Sequence, residues 1–153
     1  MNVQNQQDLM TQELEIKLRG VLETCLYVDD LDAAEAFYSK LPGLKLVARE
    51  EGRHIFYRCS RNMLLLFNPV HTANEQTDID GNPIPLHGTS GAGHIAFSVD
   101  GENIDVWKEL LVNNGIQIES EVTWPNEAVS LYFRDPAGNS LEIVSPSLWN
   151  GNV

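Results

Sequence analysis

The feature that most constrains this chain is that its pattern is written twice. Leu22–Asp30 lines up with Gly93–Gly101, and Ile55-Phe56-Tyr57-Arg58 with Leu131-Tyr132-Phe133-Arg134. Leu64-Leu65-Leu66-Phe67-Asn68-Pro69 lines up with Leu141-Glu142-Ile143-Val144-Ser145-Pro146. A duplicated unit folds as two similar halves, with matched residues at equivalent places. When equivalent strands bring their open faces together, matched positions converge on one cup. Glu23 then matches His94, and Leu65 matches Glu142.

Each half reads β-α-β-β-β. In the first, a strand over Val21–Val28 leads to Asp29-Asp30-Leu31-Asp32, which supplies N-cap chemistry for a helix through Ala33, Ala34, Ala36, Phe37 and Tyr38. Pro42-Gly43 ends the helix, and strands follow at Leu44–Arg49, Ile55–Cys59 and Met63–Phe67. The second half opens on Ala92–Asp100, whose alternation puts His94, Ala96 and Ser98 on one side and Ile95, Phe97 and Val99 on the other. A helix over Asn103–Asn114 shows Ile104, Trp107, Leu110 and Leu111 on one face and closes at Gly115. Ile116–Val122 is a strand, Trp124-Pro125-Asn126 a loop, and Ser130–Arg134 with Ser140–Val144 a hairpin about Asp135–Asn139. This predicts an α+β chain of two βαβββ modules, at 20–69 and 90–146. A leader over 1–19, partly disordered, precedes them, and a tail over 147–153 follows. Leu14–Arg19 in the leader reads equally as an edge strand or as the end of a helix. The intervening 70–89 is rich in Pro, Gly, Asn and Asp, and reads as a surface connector without regular structure, a candidate lid that carries His87.

Charge narrows the partners. With 22 acidic and 10 basic residues the chain carries a formal −12, which repels nucleic-acid phosphates and anionic lipid alike. The two cysteines, Cys25 and Cys59, form neither a disulfide framework nor a zinc knuckle, which fits a reducing cytoplasm. No signal peptide or membrane span is expected.

A lone histidine on a strand is more often structural than functional. His94 gains companions through the duplication: Glu23 and Glu142 are charged residues on strands otherwise apolar or small. Burying an unpaired carboxylate costs several kcal/mol, and two close together repel. A divalent cation held between them and the imidazole removes both penalties and leaves coordination positions open. The ordinary alternative leaves Glu23 at an exposed edge and pairs Glu142 with Arg134 or Arg58. By alternation Cys25 and Tyr27 share the side of Glu23, while Ser130, Tyr132 and Arg134 share that of Glu142.

Three stretches, Val28–Tyr38, His94–Val99 and Tyr132-Phe133-Arg134-Asp135-Pro136-Ala137-Gly138-Asn139-Ser140-Leu141-Glu142, resemble the vicinal oxygen chelate superfamily. That group includes glyoxalase I, fosfomycin-resistance enzymes, extradiol dioxygenases and bleomycin-resistance proteins. The resemblance runs from about residue 20 to 146 and implies a glyoxalase-like fold whose paired modules make a cupped, eight-stranded mixed sheet. It implies metal ligands at Glu23, where many members have His, at His94 and at Glu142, with Glu23 or Glu142 also serving catalysis. The fourth carboxylate of glyoxalase I falls at Leu65, which cannot coordinate. The implied cofactor is one divalent ion (Mn, Fe, Ni, Zn or Mg), acting as a Lewis acid on a small substrate with neighbouring oxygens in a lyase, transferase or dioxygenase reaction. Tyr27, Arg58, Trp124, Tyr132 and Arg134 are candidate substrate contacts, the arginines for an anionic group. The resemblance also implies a homodimer, with cups made within one chain or across two. The competing reading is a metal-free protein that sequesters a small molecule, as bleomycin-resistance members do.

Overall fold

A computed structural model describes residues 18–149, so the alternatives for the leader and the end of the tail fall outside the described residues. The first half holds β1 (Glu23–Tyr27), α1 (Leu31–Tyr38), β2 (Leu44–Glu50), β3 (His54–Cys59) and β4 (Asn62–Phe67). The connector contains α2 (Pro69–Asn74), β5 (Thr77–Ile79) and β6 (Asn82–Ile84). The second half holds β7 (His94–Ser98), α3 (Ile104–Asn113), β8 (Ile118–Thr123), β9 (Val129–Arg134) and β10 (Ser140–Val144).

The halves repeat one topology. Their sheets run β1-β4-β3-β2 and β7-β10-β9-β8, each with one parallel pair, β1 with β4 and β7 with β10. A parallel pair needs a crossover rather than a tight turn, and the helix-bearing stretch supplies it in both halves. The first helix starts where its sequence says: the Asp30 carboxylate accepts from the Ala33 N–H at 2.9 Å.

Alternation gives each sheet an apolar back and a different front. Leu26, Ile55, Tyr57, Leu64 and Leu66 bury with Leu131, Phe133, Leu141 and Ile143, and with both helices, in one core. Each such side chain is worth about 1.5–3 kcal/mol buried rather than exposed, so the backs decide how the halves pack. Both fronts are therefore turned away from the shared core.

A polar joint fixes the halves together through the Asp135–Asn139 turn. The buried Tyr38 hydroxyl donates to Asp135 at 2.9 Å, and Asn139 Nδ2 donates to the Tyr27 carbonyl at 3.1 Å. Asn139 Oδ1 in turn accepts from the Gly93 N–H at 2.7 Å. One residue thus ties the end of β1 to the entrance of β7.

The connector is more ordered than its composition suggests. Asn68 caps α2, accepting from the Val70 N–H at 3.0 Å, and Pro69 begins the helix. Asp80 (φ 52°) and Gly81 (φ 80°) form the two-residue turn of a small hairpin, both in the left-handed region that Asp-Gly suits. Pro83 is tolerated because a two-stranded hairpin is all edge. Among the described residues, no helix is long and apolar enough to cross a membrane.

Candidate metal centre

The second module's front holds a polar cluster on a largely buried carboxylate. Glu142 is 4% exposed at the middle of β10, with cross-strand partners Ala96 and Tyr132. Trp124 Nε1–H donates to Ser130 Oγ at 2.8 Å, and Ser130 Oγ donates to Glu142 Oε1 at 2.5 Å. The direction of this chain is forced: an indole nitrogen only donates, so the serine accepts from it and sends its own proton to the carboxylate. One oxygen of Glu142 is thereby satisfied. The other, Oε2, faces His94 Nε2 at 3.4 Å.

The far side of the imidazole completes the picture. His94 Nδ1 lies 3.1 Å from the Ser140 carbonyl oxygen, a contact that an N–H makes. In the neutral ring this leaves Nε2 without a proton, its lone pair opposite a carboxylate oxygen. Two acceptors so placed repel, and a proton or a cation between them removes the repulsion. A backbone-anchored imidazole with its other nitrogen free is the usual arrangement of a metal-ligating histidine. These donors fit a divalent ion. Tyr132 stands 6.4 Å from His94, ring to ring, and stacks on it. Burial, and then a hydrogen bond with Glu142, push its hydroxyl above the usual tyrosine range and keep it protonated.

Glu23 does not join this pair within one chain. Among the described residues, no three His, Cys, Asp or Glu side chains stand close enough to hold a metal together. The expected meeting of Glu23, His94 and Glu142 therefore fails for a single copy, and the reason is the packing of the backs. Glu23 is exposed on the other front, lining a cavity of about 690 Å³ with Cys25, Tyr27, Leu65 and His87.

The remaining candidates divide. Trp124 is held through Ser130 against Glu142, and Tyr132 stands at the imidazole. Tyr27 lies on the front of the first module, hydrogen-bonded to His87 at 2.8 Å. Arg58 is exposed on that front, between cross-strand neighbours Met63 and Lys45. Arg134 is engaged elsewhere: Glu119 takes its guanidinium at 2.5 and 3.0 Å, and the Gly138 carbonyl at 3.1 Å. The alternative pairing of Glu142 with Arg134 or Arg58 is thus replaced by His94 and Ser130. What sequence reading missed is the positioning role of Ser130; a small hydroxyl on the face of a strand carboxylate was the available signal.

The profile of the Glyoxalase/Bleomycin resistance protein/Dioxygenase superfamily matches residues 20–143. Among curated proteins the chain is similar to metallothiol transferase FosB of Bacillus licheniformis, 27% identical over 136 residues, which spans 88% of this chain and 80% of the relative. FosB of Staphylococcus epidermidis is 29% identical over 135 residues, 87% of this chain and 86% of its own. Among solved structures, lactoylglutathione lyase from Agrobacterium tumefaciens is 43% identical with a TM-score of 0.80, covering 89% of this chain and 100% of that one. The fosfomycin-resistance protein FosX of Listeria monocytogenes, solved with Mn(II) and a dihydroxypropylphosphonic acid, shares the fold at a TM-score of 0.60 and 19% identity, over 83% of this chain and 90% of its own.

Proposed function

The chain belongs to the Glyoxalase/Bleomycin resistance protein/Dioxygenase superfamily, and from that premise we propose that it is a divalent-metal-dependent enzyme whose cup is shared between two copies. His94 and Glu142 of one chain and Glu23 of a second would hold the ion, and the substrate class is a small molecule with two neighbouring oxygens. The observation that carries this reading is the aim of Glu142: a buried carboxylate with one oxygen tied off by Ser130 and the other set 3.4 Å from His94 Nε2. A protein that merely sequesters an apolar compound gains nothing from such a pair.

Two copies are needed because the fronts face away from each other within one. The first module's front is also apolar enough to benefit from cover, with Ile84 42% and Leu86 48% exposed beside it. When bound, the ion supplies Lewis acidity to the chelating oxygens. The chain's own residues do the rest. Trp124 and Ser130 fix Glu142. Tyr132, held protonated beside Glu142, stacks on the His94 imidazole and keeps it in place. Glu23, exposed where Glu142 is buried, is the carboxylate better placed to accept a proton. The names metallothiol transferase and lactoylglutathione lyase both point to a thiol, which favours a thiol conjugate, handled as a lyase or transferase substrate, over dioxygen chemistry. Leu65, where glyoxalase I carries a fourth ligand, makes this a three-ligand site.

Mixing two variants tests the shared cup. Glu23→Ala and Glu142→Ala protein, prepared without a metal-affinity tag, should each fail to retain metal and activity. A heterodimer of the two has one intact set, so after unfolding and refolding together about a quarter of all sites should recover. A mixture that stays metal-free overturns the shared cup. Wild-type protein that binds no divalent ion overturns the enzyme.

A further inference from the structure

The first module's front carries polar groups that the metal pair leaves unused. We propose that it is the subsite for the substrate's tail, a trough built for an uncharged apolar chain that ends in a hydrogen-bonding group. The proposal deepens the preceding reading, on which it rests for the position of the substrate's reacting head. The trough's cavity of about 690 Å³ lies within the range of small-molecule sites, roughly 300–1,000 Å³. Glu23 and Tyr27 stand on one face of β1, four residues and so about 13 Å apart, which makes the site elongated.

Between these ends the wall is apolar. Leu65 lies beside Cys25 in the parallel ladder of β1 and β4, with Phe56 as its neighbour on β3. Among the described residues no lysine or arginine lines the cavity, Arg58 standing next along the same front beside Met63, so the cavity itself holds no counter-charge for an anionic tail. The strap Ile84–His87 forms the remaining wall, anchored where the His87 N–H donates to the Thr72 carbonyl at 3.0 Å.

The far end is polar and fixed. His87 Nδ1 sits 2.8 Å from the Tyr27 hydroxyl, and the edge of the Phe67 ring packs on the imidazole at 4.7 Å between centroids. Burial holds the Tyr27 hydroxyl protonated, above the usual tyrosine range, and a single proton bridges it and Nδ1. Whichever of the two supplies that proton, the pair keeps one free proton and one free lone pair. Together they offer a donor and an acceptor, the complement of a hydroxyl or an amide.

Straight-chain alkan-1-ols from butanol to octanol probe the trough without needing a metal. Titrated into the full-length protein by calorimetry, they should bind about three- to fourfold more tightly with each added methylene. Tyr27→Phe and His87→Gln, checked for folding by thermal melting, should each weaken octan-1-ol binding about two- to tenfold while metal content stays at the wild-type level. Leu86→Ala, at an exposed strap position, should flatten the dependence on chain length. Affinity independent of chain length, or wild-type affinity in both Tyr27→Phe and His87→Gln, overturns the trough whatever the metal content. Normal alcohol binding by protein that holds no metal leaves the trough standing and overturns the metal enzyme instead.

Discussion

The two fronts share one topology and have opposite characters. At the centre of β4 stands Leu65, 9% exposed against phenylalanine and thiol neighbours; at the matched centre of β10 stands Glu142, 4% exposed and held by Ser130 and Trp124. The two positions are buried to nearly the same degree, so burial is a property of the duplicated frame. What differs is which partners are supplied. A carboxylate survives on the second front because a directed chain of hydrogen bonds awaits it, and the first front, lacking such a chain, stays apolar. One half is thereby suited to hold an ion and the other to hold the body of a substrate.

The sharpest way to break that comparison is to write the first front's residue into the second. Glu142→Leu should weaken divalent-ion binding by more than about a hundredfold, read by equilibrium dialysis, because it removes a ligand outright. Its folding stability should fall by about 1–3 kcal/mol, because the buried Ser130 hydroxyl loses its acceptor. A large loss of stability with metal retained would show that Glu142 is structural.

A smaller effect is expected one bond away. Ser130→Ala keeps every ligand but frees Glu142 to rotate, and should cost about 10–100-fold in metal affinity by the same measurement. Unchanged affinity would mean that the packing of β9 alone aims the carboxylate.

The smallest effect concerns the first front's own strand histidine. His54 stacks on Phe56 at 4.0 Å between centroids, and burial holds its imidazole below the usual range despite the nearby Glu50. The unfolded chain therefore takes up a proton at a pH where the folded chain does not. Stability from this site is present above about pH 6.5, the ordinary histidine value, and is lost as pH falls below it. Denaturant melts of His54→Gln between pH 7 and 5 should show a shallower decline than wild type. An equal slope in the two proteins would assign the decline to other groups.

Much of this molecule is legible along the chain. Asp30 as a cap, Gly115 (φ 71°) after α3 and the Asp135–Asn139 turn are local chemistry, and the matched strands fall within a residue or two of their predicted bounds. The connector's hairpin has a local signal as well, since Asp80-Gly81 is a dipeptide suited to its left-handed two-residue turn. Arg134 was not legible: its strand phase allows the cup, and only the arrival of Glu119 from β8 takes its guanidinium away.

The sequence by itself determined the doubled βαβββ order, the apolar back and open front of each sheet, and the three chemically distinctive residues at matched places, because these follow from short-range periodicity and turn preference. The tertiary structure alone decided that His94 and Glu142 meet while Glu23 faces elsewhere, and that the connector's Ile84–His87 walls the first front. Those outcomes depend on how two apolar backs close on one core, and residues a hundred positions apart carry no local signal of which side of that core they will occupy.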